Sequence, residues 1–318
     1  MDNDLSSKLV LSILIVNFNG KDLLKPCFDS IRKYVTAPHE IIIVDNASHD
    51  GSVDYIKNNY PEVRVVASPI NLGFATGNNR AAKVASGRYF LLLNNDTVIR
   101  SPVSPLIDLM DARADAGALG CRLVYGDGRQ QESVGDIPTA WSLLLSWTPL
   151  ARLSRWPGMV SRTVMADSTL YEQQCIAAGW VSGAFLLTKA DIWQQLHGLD
   201  DRYFMYMEDV DFCRRLRDAG RKVLYSAACE VIHLEGAGRP WIGERAVLDS
   251  TNSYMVYVKK FEGKYGLAKL RVGLSIVFLA RSMVHFMTAI FKTDPCGGEK
   301  SIAYRRAALK LLFGGGTR

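Results

Sequence analysis

The sequence lacks several features that would fix a function class early. Its six cysteines include no C-x-x-C pair. That argues against zinc knuckles and dithiol redox motifs, and leaves reduced thiols in a cytosolic protein as the expectation. No internal repeat is visible, so a solenoid or propeller is not expected. The first residues, "MDNDLSSKLVLSILIVNFNG", place acids rather than bases before the apolar run and offer no small-residue cleavage site; no signal peptide is expected. A glycine- and lysine-rich phosphate loop after the first strand is also missing, since Gly20 stands alone in "VNFNGKD". Nucleotidyltransferases usually need such a loop, so that class becomes an alternative. Finally, "LRVGLSIVFLARSMVHFMTAIFK" (270–292) is interrupted by Arg281 and His285. Its clean apolar stretches fall short of the ~20 residues that span a bilayer, and an interfacial or packed helix is expected.

What is present reads as a folded α/β chain. With 318 residues, 48% of them hydrophobic and 22% charged, disorder is excluded and one large or two modest domains can form. Apolar runs rich in Ile and Val at 8–19, 40–44, "VRVVAS" and "RYFLLLNNDTV" read as strands. Between them, "KDLLKPCFDSIRKY", "SVDYIKNNY" and "GFATGNNRAAKVASG" read as helices, with a local irregularity expected at Pro26. This β-α-β-α-β-α-β order predicts a mostly parallel sheet with helices on both faces. In such sheets ligands bind at the carboxyl ends of the strands. Asn17, Asn19, Asp45, Asn46, Asn94, Asn95 and Asp96 all fall there. The turn habit of Asn and Asp explains any one cluster; three together point to a site.

Further along, "VYGDGRQ" reads as a hairpin turn, and "TAWSLLLSWTPLARLSRWPG" as a mobile or membrane-facing loop. A strand over 180–187 and a helix from about Lys189 follow. "RKVLYSAACEVIHLEGAG" reads as a strand, a break and a second strand reaching His233 and a glycine-rich stretch. The expected division is a domain over 1–243 and a helical, basic and apolar extension over 244–318. From residue 251 onward there are 12 basic and 3 acidic residues, against 26 and 29 before it. Because the basic residues flank an apolar segment, peripheral contact with an anionic membrane surface is expected, and nucleic acid is not.

"FMYMEDVDFCRRLRDAG" (204–220) crowds Glu208, Asp209 and Asp211 together. Acids favour a helix start, so a capping role is one reading and a general base is the other. On a helix, Glu208 and Asp211 share a face while Asp209 points elsewhere. The helix dipole is expected to lower the pKa of Asp209.

"SILIVNFNG", "VDNASHDGS", "NLGFATGNN", "LLLNNDT", "VSGAFLL" and "YMEDVDFCRRL" occur in the order and spacing of the inverting family 2 glycosyltransferases. Over residues 8 to about 240 the chain resembles that family, and within it the bacterial rhamnosyltransferase-type branch. The resemblance implies a GT-A fold, Rossmann-like, and an inverting, metal-dependent transfer of sugar from a nucleotide-diphosphate donor. It implies donor contacts from Asn17, Asp45, Asn71, Gly73, Asn78, Asn95, Asp96 and Gly183. Asp45 matches the residue that accepts from the pyrimidine ring, whose N3–H uracil and thymine share. Asp96 matches a ligand of Mg²⁺ or Mn²⁺, although Asn94 stands where an Asp is usual. His233 is either a metal or pyrophosphate ligand or a structural histidine, and Gly77 a site or packing glycine. Asp209 matches the catalytic base. The implied donor is dTDP-rhamnose, with UDP-sugars open. The implied acceptor is a glycan or polyprenyl-linked glycan for cell-surface polysaccharide, at the cytoplasmic face of the membrane. A catalytically inactive nucleotide-binding scaffold is the other alternative.

Overall fold

The computed structural model describes residues 9–150, 168–234, 243–291 and 293–313. They divide into two compact units: residues up to 135, 168–204 and 208–234 form the first, and 136–150, 205–207 and 243–313 the second. The glycine-rich stretch after Leu234 and the end of the Trp-rich segment lie outside the described residues.

The first unit is built on one sheet. Its opening strands β1 (Leu11–Asn17), β2 (His39–Asn46), β3 (Val63–Ser68) and β4 (Tyr89–Leu93) alternate with α1 (Lys21–Tyr34), α2 (Ser52–Asn59) and α3 (Gly73–Ala82). The pairs β1–β2, β2–β3 and β1–β4 are all parallel, as the alternation predicts. Pro26 does not end α1. It sits in the second turn, where the loss of one intrahelical hydrogen bond is tolerated because Leu24, Cys27, Phe28 and Ile31 anchor that face in the core.

The second half of the sheet is mixed. It adds β5 (Thr97–Ile99), β6 (Ala116–Val124), β8 (Ile176–Ala178), β10 (Phe185–Lys189) and β11 (Lys222–His233), in the spatial order β3-β2-β1-β4-β10-β6-β11-β5 with β8 on β11. Strand β10 runs antiparallel to β4 and β6, while β6 and β11 are parallel. The expected break in β11 is a register shift between Ser226 and Glu230, so one strand continues through it. The expected strand over 180–187 is two pieces, β9 (Trp180–Val181) and β10, parted at Ser182–Gly183; β9 pairs instead with β7 (Val134–Gly135).

Both faces of the sheet are covered. Ile13, Ile15, Ile41, Ile43 and Leu91 pack with α1, α2 and α4 (Ser104–Ala112) through Phe28, Ile56 and Leu106. On the other face Phe90 meets Trp193 of α6 (Ala190–Gln195), and Trp193 meets Phe212 of α7 (Glu208–Asp218). Burying such side chains contributes ~1.5–3 kcal/mol each, which makes the strand ends a rigid platform.

In the second unit, the start of the Trp-rich segment is not a loop. Thr139 and Ser142 form a capping box that starts α5 (Ala140–Ser146). The chain then forms α8 (Gly243–Ile290), broken at Gly263 where φ is +71°, and α9 (Gly297–Phe313). Trp147 packs on Phe278 and Tyr304, and the Arg281 guanidinium donates to the Trp147 carbonyl at 3.0 Å. Arg281 therefore interrupts the apolar run for a packing reason. By length and composition alone α8 is long and apolar enough to cross a membrane when the interruptions are tolerated. Ile276, Met283, Val284 and Phe286 are exposed along it, and Phe291 just past its end.

Candidate active site

At the carboxyl ends of the parallel strands, Asn17 and Asp45 are register partners. The Asn17 side chain is fully buried. Its Nδ2 donates to Asp45 Oδ2 at 3.0 Å and to Ser48 Oγ at 3.2 Å, while its Oδ1 accepts from Asn95 Nδ2 at 2.7 Å. This corrects the expectation that Asn17 faces the nucleotide: it ties Asp45 and Asn95 together from beneath. Asp45 Oδ1 also accepts from the Ser48 amide at 2.9 Å, so the turn role is real. A carboxylate has about four acceptor sites, and its bonds to Asn17 and Ser48 leave capacity for a ring N–H.

The "NLGFATGNN" residues are turned inward. Gly73 has φ +77°, and a Cβ there would stand 2.2 Å from the Phe204 carbonyl oxygen. Its small size admits the 204 backbone, which accepts from the Phe74 amide at 2.8 Å, rather than a nucleotide. Asn71 Oδ1 accepts from the Gly73 amide at 2.9 Å, which fixes that turn. Asn78 is buried and donates to the Phe74 carbonyl within α3. Gly77 meets Val16 side-chain atoms, and so is a packing glycine. Asn71, Gly73 and Asn78 thus shape the site's frame.

The sheet itself assembles Asp96 and His233. Antiparallel pairing of β5 with β11 sets His233 opposite Thr97, and the Leu234 amide donates to the Asp96 carbonyl at 3.0 Å. Asp96 Oδ1 lies 3.3 Å from His233 Nε2. Asn94 Nδ2 is 3.1 Å from the same nitrogen, and Gln131 Oε1 is 2.9 Å from Nδ1. Gln131 had no sequence signal, because it lies outside every motif and reaches the site only through the Tyr125–Arg129 turn. That turn is the hairpin expected from "VYGDGRQ".

One carboxylate oxygen and one imidazole nitrogen converge here, and Asn94 Oδ1 is buried without a hydrogen-bond partner. Such an oxygen- and nitrogen-donor pair fits a divalent cation of the Mg²⁺ or Mn²⁺ kind. Among the described residues no group of three or more His, Cys, Asp or Glu could hold a metal. A bound cation would therefore take its remaining ligands from phosphate oxygens and water.

The three acids at the start of α7 have separate surroundings. Asp211 is fully buried and holds Arg215 Nε at 2.6 Å and the Tyr203 hydroxyl at 3.1 Å. Arg215 in turn donates to the Leu196 and Gly198 carbonyls, so this pair fastens α7 to the segment before it. Glu208 is 5% exposed, and its Oε2 has no partner. Burial pushes its pKa well above the usual carboxyl value, and the neighbouring Asp209 charge pushes it the same way. Asp209 Oδ2 accepts from the Gly183 amide and Oδ1 from the Val210 amide, both at 2.8 Å. The Asp209 pKa is also raised by burial, which outweighs those amides. The expected lowering by the helix dipole is therefore reversed. Gly183 sits directly on Asp209: a Cβ there would be 3.5 Å from the Asp209 Cβ and 3.2 Å from the Phe74 ring.

Residues 12–168 match the family described as glycosyl transferase family 2. An N-acetylglucosaminyl-diphospho-decaprenol L-rhamnosyltransferase of Mycobacterium tuberculosis is 29% identical over 236 residues, 70% of this chain and 76% of that protein. Rhamnosyltransferase WbbL of Escherichia coli K12 is 23% identical over 231 residues, 70% and 82% of the two chains. Among solved structures, a mannosyltransferase from Pyrobaculum calidifontis in complex with GDP-Man and Mn²⁺ shares the fold. Its TM-score is 0.54 at 13% identity, covering 95% of this chain and 87% of that one. The ordered strand-end motifs, the half-parallel sheet and these matches agree: residues 12–168 carry the family 2 glycosyltransferase domain, and over 70% of its length the chain is similar to rhamnosyltransferases of that kind.

Proposed function

We propose that the protein transfers rhamnose, with inversion, from dTDP-rhamnose to a lipid-linked glycan at the cytoplasmic face of the membrane. The observation that carries the reaction type is the Asp209 carboxylate, fixed by two backbone amides at 2.8 Å and raised in pKa by burial. A general base works best when its pKa approaches the working pH. Asp209 takes the proton of the acceptor hydroxyl on an oxygen whose other acceptor position is held by an amide. Asp45 accepts from the pyrimidine N3–H, steadied by Asn17 and Ser48. Asn95, anchored on Asn17, orients the ribose side of the donor. Asp96 and His233 would hold Mg²⁺ or Mn²⁺, which would supply positive charge beside the diphosphate.

A rhamnosyl donor is supported by both rhamnosyltransferases above, and a lipid-linked acceptor by the decaprenol-linked substrate of the Mycobacterium tuberculosis protein. Exposed Ile276, Met283, Phe286 and Phe291 on a basic C-terminal region support contact with an anionic bilayer. The test is a donor panel of dTDP-rhamnose and UDP-sugars against a polyprenyl-diphosphate-linked acceptor, with Mg²⁺, Mn²⁺ or chelator. Turnover with dTDP-rhamnose, lost with chelator, is expected. Turnover only with UDP-sugars overturns the donor, and nucleotide binding without any turnover overturns the reaction.

A further inference from the structure

The neighbours of His233 favour one of its nitrogens as the proton carrier. Gln131 Oε1 is an acceptor, so at 2.9 Å the neighbouring Nδ1 must donate. Asn94 Nδ2 lies 3.1 Å from Nε2, where a donor to that nitrogen's lone pair would sit, and would turn aside when a cation takes the lone pair. Both contacts fit an imidazole that carries a proton on Nδ1. Its Nε2 lone pair then stands 3.3 Å from Asp96 Oδ1, which is also an acceptor. Two acceptors this close repel each other unless a proton or a metal ion lies between them. Gln131 and His233 are enclosed, at 4% and 7% exposed, while Asp96 is partly open at 21%.

From this we infer that Gln131 is a positioning residue that holds His233 in the Nδ1–H tautomer, so that Nε2 and Asp96 together form a cation seat. The inference rests on the proposed metal role of Asp96 and His233. Gln131 touches neither donor nor acceptor in this role. Its action passes through the imidazole, as outer partners of metal-bound histidines commonly act. The backbone supports the arrangement, because the Gln131 amide donates to the Leu123 carbonyl at 2.9 Å and so fixes the residue beside β6. If Gln131 were replaced by an apolar side chain, the acceptor that faces Nδ1 among the described residues would be lost. The imidazole would be free to move its proton to Nε2 and donate to Asp96, occupying both metal donors with one hydrogen bond.

The tautomer can be read without metal or substrate. Proton–nitrogen correlation spectra of the ¹⁵N-histidine-labelled full chain should show His233 with a protonated Nδ1, identified by its loss in His233→Ala. Gln131→Leu should move the proton to Nε2, and Gln131→Glu, which keeps an acceptor, should leave it on Nδ1. Mn²⁺ titration followed by electron paramagnetic resonance, with dTDP present, should then weaken ~10–100-fold in Gln131→Leu and much less in Gln131→Glu. Should Gln131→Leu fail to fold, Gln131→Met serves as the apolar variant. A wild-type His233 protonated at Nε2, or an apolar variant that keeps either the Nδ1–H tautomer or full Mn²⁺ affinity, overturns the proposal. If wild type binds no Mn²⁺ but shows the predicted tautomers, the metal reading fails while the positioning by Gln131 stands.

Discussion

Two acidic regions of the first unit solve opposite problems. At the ends of β1, β2 and β4, Asp45 and Asn95 are held by one buried amide, Asn17, which donates to one and accepts from the other. At the start of α7, Glu208 keeps an unpartnered oxygen, and burial raises the pKa of both Glu208 and Asp209. The first arrangement is preorganised for binding, because its ligand-reading groups are already oriented and recognition needs little reordering. The second stores basicity, because a carboxylate less well solvated than in water gains more from taking a proton.

The sharpest way to break this contrast is at the reactive end. Asp209→Asn keeps the size of the side chain and removes the proton acceptor, so kcat should fall by ~10²–10⁴ while donor Kd stays within a few-fold. Near-normal turnover would falsify the assignment. Asp96→Ala comes next. Donor affinity in the presence of Mn²⁺ should drop by at least about tenfold, and the gap between metal-replete and chelated reactions should narrow. Isothermal titration with dTDP, with and without Mn²⁺, separates the two effects.

How legible these regions were from sequence differs for physical reasons. The parallel half of the sheet follows from short apolar runs alternating with helices, which is a local signal. The mixed half does not, because β10 and β5 depend on pairing across long stretches of chain, as in Thr97 opposite His233. Asp45 and Asp96 lie at the strand ends that the alternation marks, and Asp209 lies in the first turn of a helix. The inward turn of Asn17 and Gly73 was hidden, since a buried asparagine and a ligand-facing one look alike in sequence. Gln131 was invisible, because its partner His233 lies 102 residues away. The reversed pKa of Asp209 has the same origin: a dipole is local and readable, whereas enclosure is produced by the whole fold.

Asn17→Ala tests the preorganised region. It leaves Asp45 and Asn95 each short of a buried partner, which should cost ~1–3 kcal/mol in urea unfolding. It should also weaken donor binding with kcat unchanged at saturation. A loss of kcat alone would mean that this cluster serves chemistry rather than binding.

The smallest effect concerns Glu208. Its folded pKa is raised, so its contribution to stability is fully present below the unfolded pKa and is lost as pH climbs from that value toward the folded one. In the wild type this loss lowers the urea midpoint as pH rises above the ordinary glutamate value. In Glu208→Gln the neutral amide fits the same buried site, and that part of the fall should vanish. The variant should then be the more stable protein at neutral pH. The remaining slope belongs to Asp209, whose pKa burial raises in the same direction, and the acid limb of kcat/KM should accordingly lie above the ordinary aspartate value. An unchanged pH slope in Glu208→Gln would show that Glu208 is solvated in solution, and would remove the stored basicity that separates this region from the strand ends.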